Sequence, residues 1–459
     1  MKITIIGAGP GGYEAAIYAA KKGAEVVLVE KGEVGGTCLN RGCIPTKAML
    51  ASYEALEAVE EASSFGIELS GEISVNYEKI IARKDKIVAG LVKGIGMLCD
   101  KAGVKIIKGF GKVASANTVE VDKGNGDIES IESDYIILAM GSVPITPGMF
   151  KYDGIRVITS DEVLEMKEAP KSMVLVGGGV IGTEIGQFLS KMGTDLTIVE
   201  MMPQLLPTMD EDVGKQLARQ FKKEKINTIV GDGIAEVNPA EDSVSVTLQS
   251  GKELTADYCL VAIGRMPFTA GSGIDEIGLE MEERGGKIKV DEYLRTSIPS
   301  IYAIGDLIDS PFLAHVASKE GLIAVDNIFG AQKKAVYHAV PAAVYTNPEI
   351  ATVGYSEADL IKAEKPYKKG TFDFRGLGKA QTSGQIQGFV KVLTDEEGTL
   401  IGAAIVGAHA SDMLQVLTTA VQLGLKADDV ADSIFPHPSM SEAILEALHD
   451  LHGLSINKL

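Results

Sequence analysis

The sequence predicts an α/β fold in which two doubly wound parallel sheets are followed by a smaller α+β region. Three observations carry that expectation. The chain opens with a strand, a glycine-rich turn, a helix and a second strand. The same block recurs about 170 residues later, as an internal repeat of one large unit rather than of a short solenoid motif. After about residue 337 the pattern changes to short β-rich runs and two helical stretches.

The first strand is the apolar run Ile3-Thr4-Ile5-Ile6, and the turn is Gly7-Ala8-Gly9-Pro10-Gly11-Gly12. An Ala-rich helix over 13–23 and a strand over 25–29 ending at Glu30 complete the block. In the second copy a strand over 173–176 leads into Gly177-Gly178-Gly179-Val180-Ile181-Gly182, a helix over 183–192 and a strand over 195–199 ending at Glu200. Between the copies, 48–61 and 75–101 have helical composition, and 104–113 and 118–121 read as strands. Pro144, Pro147 and Gly148 mark a boundary, and Pro170 precedes the second copy. Beyond residue 265 turn signals multiply; strands at 389–393 and 400–406 and helices at 410–423 and 441–451 close the chain.

Length and composition bound the rest. At about 150 residues per domain, the 459 residues suggest roughly three domains. With 44 basic and 63 acidic residues the net charge is −19. That excess repels phosphates, so neither a nucleic acid nor a membrane surface is expected as a partner. No apolar run reaches the ~18 residues of a membrane helix. Met1 and Lys2 lead straight into a strand, so no targeting segment is expected. Four cysteines make no disulfide scaffold. They point to a reducing, cytoplasmic compartment in which any disulfide is catalytic.

A G-x-G-x-x-G turn acts through geometry. Its first glycine makes a tight turn, the second lets backbone approach a pyrophosphate, and the third lets helix and strand pack closely. The helix N-terminus then offers free N–H groups to the phosphates. Glycine supplies 52 of 459 residues, so composition alone yields such a match about 0.6 times, and one match means little. Here there are two, each between a strand and a helix, each with a glutamate 18 positions after the last glycine. They predict two Rossmann-like units and two dinucleotides. After Glu200 come Met201, Met202 and Pro203, with no Arg or Lys before Lys215. A carboxylate accepts hydrogen bonds from a free ribose diol and repels a 2′-phosphate, which selects NAD over NADP for the second site.

Beyond Glu30 runs Gly35-Gly36-Thr37-Cys38-Leu39-Asn40-Arg41-Gly42-Cys43-Ile44-Pro45-Thr46-Lys47. Two thiolates are too few for a structural zinc site, and no metal is expected. Beside a dinucleotide turn, Cys38 and Cys43 read as a reversible redox pair at a loop entering a helix, rather than as two unrelated buried thiols. Cys99 and Cys259 sit alone in apolar surroundings and are expected to be buried and inert.

With these features the sequence resembles the pyridine nucleotide–disulfide oxidoreductases, and among them the dihydrolipoamide dehydrogenase branch, over essentially the whole chain. Ile137-Leu138-Ala139-Met140-Gly141-Ser142 and Leu260-Val261-Ala262-Ile263-Gly264-Arg265 resemble the family's two interdomain segments. Ile301-Tyr302-Ala303-Ile304-Gly305-Asp306 resembles its second flavin motif, extended by Leu313-Ala314-His315-Val316-Ala317. Tyr345-Thr346-Asn347-Pro348-Glu349 resembles the start of its interface domain.

The resemblance implies a division into an FAD-binding domain (1–145), an NAD-binding domain (146–265), a second part of the FAD-binding region (266–336) and a dimerisation domain (337–459). It assigns tightly bound FAD to Gly7, Gly9, Gly12, Glu30, Gly36, Thr37, Lys47, Gly111, Ala139, Gly141, Asp306 and Ala314. NAD falls to Gly177, Gly179, Gly182, Glu200 and Gly264. Lys47 matches the family lysine near the flavin, with Glu184 as its ion-pair partner. Cys38 becomes the interchange thiol and Cys43 the one beside the flavin.

His437 stands out among six histidines by its setting, Phe435-Pro436-His437-Pro438-Ser439-Met440-Ser441-Glu442. The prolines fix the backbone, and Glu442 can turn back to one ring nitrogen and make the other a base. The segment resembles the family's catalytic His-Pro loop, which implies a homodimer with active sites shared across the interface. Phe435 stands where many relatives have a second histidine, Ser439 replaces the usual threonine, and Met140 replaces a common threonine. The implied activity is oxidation of protein-bound dihydrolipoamide by NAD, served by a lipoyl-bearing acyltransferase or lipoyl carrier. The alternative is NADH-dependent reduction of another disulfide. Glutathione and trypanothione reductases need NADPH, against Glu200; a mercuric reductase would carry a C-terminal cysteine pair. A transhydrogenase would need no disulfide, and a non-catalytic flavin scaffold would not need Cys38, Cys43, His437 and Glu442 together.

Overall fold

The structure is a computed structural model that describes residues 1–124 and 126–458. It separates into two compact units. The first comprises Met1–Thr146, Thr159–Glu168 and Ile263–Ala335; the second comprises Pro147–Ile158, Ala169–Ala262 and Val336–Leu459.

In the first unit, strands Lys2–Ile6 and Glu25–Glu30 pair in parallel, with Tyr135–Leu138 on the other side of Lys2–Ile6. Ile301–Ala303 and Lys105–Lys108 complete the five-stranded sheet at its two edges. Ile3, Ile5, Leu28, Ile136 and Ile137 are wholly buried. Such near-continuous apolar runs suit strands covered on both faces. Helix Pro10–Lys21 starts with proline, whose missing N–H would be unpaired there in any case. It packs closely on helix Ala314–Ile328: a Cβ on Gly11 would lie 2.8 Å from the Ala317 carbonyl oxygen.

Two expectations are corrected here. The run 104–113 is not one strand. Lys105–Lys108 stays in the parallel sheet, whereas Phe110–Val113 joins a three-stranded antiparallel sheet with Thr118–Asp122 and Ile128–Glu132. Gly109 permits the transfer, since a Cβ there would lie 2.6 Å from Val121 Cγ1. The helix expected over 48–61 begins at Cys43. Pro45 falls in its first turn, where no backbone donor is lost, and therefore does not stop it. Helix Tyr77–Ala102 is capped by the Asn76 side chain, which accepts from Lys79 N at 2.9 Å.

The second unit repeats the plan. Strand Ser172–Val176 lies between Asp195–Glu200 and Tyr258–Val261, all parallel, with Asn227–Val230 and Val157–Ile158 at the edges. A separate five-stranded antiparallel sheet runs Ala342–Val344, Ile350–Gly354, Leu400–Val406, Phe389–Thr394, Lys368–Asp373. Leu414 and Leu417 of helix Ala410–Leu423 and Ile444 and Leu448 of helix Glu442–Asp450 share its core with Val390, Val392 and Ile405. Within this unit the fully buried Lys391 meets Asp210 at 2.7 Å, Asp212 at 2.8 Å and Glu357 at 3.1 Å. Among the described residues no helix is long and apolar enough to cross a membrane.

Candidate active site

The two glycine turns divide their labour identically. A Cβ on Gly7 would lie 2.3 Å from the Ala139 carbonyl oxygen, and one on Gly12 would lie 1.8 Å from that of Gly7. Both glycines are demanded by the chain itself. A Cβ on Gly9 would meet nothing nearer than Gly36 Cα at 4.0 Å. In the second turn a Cβ on Gly182 would lie 2.0 Å from the Gly177 carbonyl oxygen, while one on Gly179 would meet nothing within 4 Å. Gly177 itself has φ +110°. The middle glycine thus leaves open room before each helix N-terminus, and that room fits a pyrophosphate.

The acidic residues are held alike. Glu30 accepts from Ala8 N and Gly32 N, both at 2.7 Å. Glu200, 8% exposed, accepts from Gly178 N at 2.7 Å and Met202 N at 2.8 Å. Each carboxylate oxygen keeps a further lone pair for a ribose hydroxyl. The residues present therefore fit a dinucleotide in each unit.

Cys38 lies in the short helix Gly36–Arg41, where the sequence suggested a loop, and Cys43 is the first residue of helix Cys43–Glu61. The segment is braced on the first turn: Gly35 N donates to the Ala8 carbonyl at 2.7 Å, and a Cβ on Gly36 would lie 2.6 Å from Gly9 Cα. Between the cysteines the chain folds tightly at Gly42, whose Cβ would stand 3.0 Å from the Thr37 carbonyl oxygen. The two thiols are hydrogen-bonded to each other. That bond, and then burial, push the Cys38 thiol well above the usual range, while the Lys47 charge on the next turn pulls it down. Cys99 and Cys259 are wholly buried, and burial pushes the Cys259 thiol up to about 12.

Asp306, in the turn Gly305–Leu307, accepts from Ser142 Oγ at 2.5 Å. Arg265 donates from Nε to Ser142 Oγ at 2.8 Å and from Nη2 to the Ser142 carbonyl at 2.7 Å. Burial pushes the Asp306 carboxyl up, against the Ser142 bond and the Arg265 charge. Sequence reading noted all three segments but missed this cluster. Its signal is a serine and an arginine that each follow a positive-φ glycine, Gly141 at +70° and Gly264 at +130°. Ala139 backs Gly7, and a Cβ on Gly111 would lie 2.9 Å from Ile6 Cγ2. Ala314 opens its helix. Gly264 falls in the first unit, with its carbonyl accepting from Ile145 N at 3.0 Å.

In the second unit Glu184 is 2% exposed on helix Val180–Lys191 and accepts from Tyr345 N at 2.8 Å. Lys47 and Glu184 belong to different units. The exposed His437 ring places Nδ1 2.8 Å from Glu442 Oε1, and Glu442 Oε2 accepts from Ser439 N at 2.9 Å. Burial works against the Glu442 carboxylate, yet the bonds from His437 and Ser439 hold it below the usual range. With Nδ1–H given to Glu442, Nε2 is the nitrogen that can take a proton. Phe435 packs against the C-terminal core, whereas Ile434 is fully exposed.

Comparison with known proteins gives a consistent result. Residues 1–321 match the profile of the pyridine nucleotide-disulphide oxidoreductases, and residues 340–448 match that family's dimerisation domain. A dihydrolipoyl dehydrogenase of Haloferax volcanii is 38% identical over 466 residues, covering 100% of this chain and 98% of that protein. One from Bacillus subtilis is 39% identical over 462 residues, covering 99% and 97%. The crystal structure of LpdA from Mycobacterium tuberculosis superposes with a TM-score of 0.92 at 27% identity, covering 98% of this chain and 99% of that one.

Proposed function

Because the chain belongs to the pyridine nucleotide-disulphide oxidoreductases, we propose that it oxidises dihydrolipoamide to lipoamide through a Cys38–Cys43 disulfide, with FAD in the first turn and NAD in the second. The observation that carries this reading is the mutually hydrogen-bonded Cys38–Cys43 pair braced on a dinucleotide turn. The whole-length relatives named dihydrolipoyl dehydrogenase support the choice of dithiol.

The chain's own groups divide the work as follows. His437 Nε2 takes a proton from one substrate thiol, because a thiolate is the nucleophile. That thiolate attacks Cys38 Sγ; the Cys38–Cys43 bond breaks and Cys43 leaves as a thiolate. The second substrate thiol closes the product ring and releases Cys38, which leaves as a thiol with that group's proton. Two electrons have passed from substrate to the cysteine pair. Bound FAD supplies a two-electron relay from that pair to NAD. Lys47 contributes positive charge to the cysteine pair and, by family resemblance, to the flavin. Asp306, held by Ser142, offers its carboxylate to the ribityl chain, and Glu30 and Glu200 hold the two ribose diols.

The division 1–145, 146–265, 266–336 and 337–459 belongs to this reading, as do the other FAD and NAD contacts named from the resemblance. The match to the dimerisation domain supports a homodimer. In it the His437–Glu442 pair serves a site shared with the partner subunit. A lipoyl-bearing acyltransferase or lipoyl carrier delivers the dithiol, in the cytoplasm.

The test is anaerobic NADH formation from NAD and dihydrolipoamide, with NADP in parallel. Rapid turnover with NAD alone is expected. Bound FAD and a reducible disulfide without turnover would redirect the assignment to another disulfide substrate. Cys38→Ser should abolish dithiol oxidation yet leave NADH-to-flavin transfer. His437→Gln should slow the dithiol step by roughly 10²–10⁴, the usual contribution of a general base.

A further inference from the structure

Helix Glu442–Asp450 carries Glu442, Glu446 and Asp450 at four-residue spacing, hence along one face. Between them the three carboxylates hold the His437 loop, the C-terminal segment and Thr371. Glu442 takes His437 and the Ser439 N–H. Glu446, 7% exposed, takes the C-terminal segment. Its Oε2 accepts from Ser455 Oγ at 2.6 Å, Ile456 N at 2.9 Å and Asn457 N at 3.2 Å, and its Oε1 accepts from Asn457 Nδ2 at 2.6 Å. Asp450 accepts from Thr371 N at 2.8 Å and Lys458 Nζ at 2.5 Å.

Two physical facts give this arrangement meaning. A helix of nine residues is marginal on its own and depends on what is packed and bonded to it. Its first residue is Glu442, which lies at a helix end, where fraying begins, and orients the His437 ring. Like charges four apart on a helix also repel. Glu446 can sit one turn from Glu442 at low cost because four donors from the C-terminal segment spread its charge.

We propose that Glu446 is a positioning residue for the base: residues 455–457, latched onto it, fix the helix whose first residue aims His437. The inference rests on the reading of His437 as general base. Glu446 touches neither substrate nor His437 and acts only through Glu442. A displacement of about 1 Å at the base is enough to slow the chemistry by about 100-fold.

The test uses the dimeric holoenzyme, with Glu446→Gln and a deletion of residues 455–459. Reduction of the Cys38–Cys43 disulfide by dihydrolipoamide should slow at least about tenfold, while reduction by NADH stays within about twofold. The Ser439 amide, bonded to Glu442, should exchange with solvent faster in both variants. In a His437→Gln background the same changes should cost nothing further, since a residue that acts through His437 has nothing left to aim. Wild-type dithiol rates, equal loss in both half-reactions, or the same fold-loss in the His437→Gln background would each overturn the proposal. If the deletion does not fold, Ser455→Ala, which removes one donor, takes its place with a smaller loss of the same pattern. If His437→Gln alone leaves the dithiol rate intact, the base reading fails and the latch with it. If His437→Gln is slow and the latch variants are not, only the latch fails.

Discussion

In the proposed function Glu200 turns a strand end into a nucleotide preference, with its carboxylate aimed by two backbone N–H groups. Glu200→Gln keeps the shape and removes the charge. The ratio of kcat/KM for NAD over NADP should fall about tenfold, the order of one charge-assisted hydrogen bond; steady-state kinetics with both nucleotides reads it. Asp326 illustrates a purely structural charge. It accepts from Tyr18 Oη at 2.9 Å and from Lys22 and Lys333 Nζ, both at 2.5 Å. Burial opposes its ionisation, yet these donors hold the carboxyl at about 2. A depressed pKa stabilises the fold above the unfolded value near 3.9, and that contribution disappears as pH falls through about 2. Asp326→Asn should therefore cost about 1–2 kcal/mol at pH 7, after allowance for solvent screening. It should flatten the loss of stability between about pH 4 and pH 2. Urea unfolding across that range measures both effects.

At the scale of elements, the glycine turns make a sharp distinction between folding and binding. Gly182→Ala would place a Cβ 2.0 Å from a carbonyl oxygen that cannot move without the strand, so reduced stability and poor yield are expected. Gly179→Ala has room, so the chain should fold normally and lose NAD affinity alone; thermal unfolding and nucleotide titration separate the two outcomes. This also explains what could be read in advance. The turns, the glutamates, Cys38 with Cys43, and His437 with Glu442 are local patterns, in which spacing along the chain nearly fixes spacing in space. The break at Gly109 and the start at Cys43 were missed because they depend on what the backbone meets rather than on periodicity. The Ser142–Arg265–Asp306 cluster joins residues as far as 164 positions apart, and no local pattern reports that. No local pattern marks Glu446; only the fold shows residues 455–457 bonded to it.

At the scale of the whole molecule, the second unit contains a strongly charged junction. Lys391 lies in strand Phe389–Thr394, Asp210 and Asp212 at the start of helix Glu211–Lys223, and Glu357 at the start of helix Glu357–Lys362. Burial works against the Lys391 ammonium, but the two aspartates more than compensate and raise its pKa. Its contribution is therefore present throughout the neutral range and is lost only on strongly alkaline titration. Lys391→Met would leave the buried Asp210 without its ammonium, while Glu357 keeps Lys369 at 3.0 Å and Asp212 stays partly solvated, and should cost about 3 kcal/mol. Thermal unfolding should show that cost, with dithiol chemistry unaltered where the variant remains folded.

The close approach of Gly36 to Gly9 reaches beyond packing. The segment that carries Cys38 leans on the same turn whose open room fits a pyrophosphate. If the proposed FAD site is right, a chain stripped of the flavin is expected to offer Cys38 more freely to an alkylating agent.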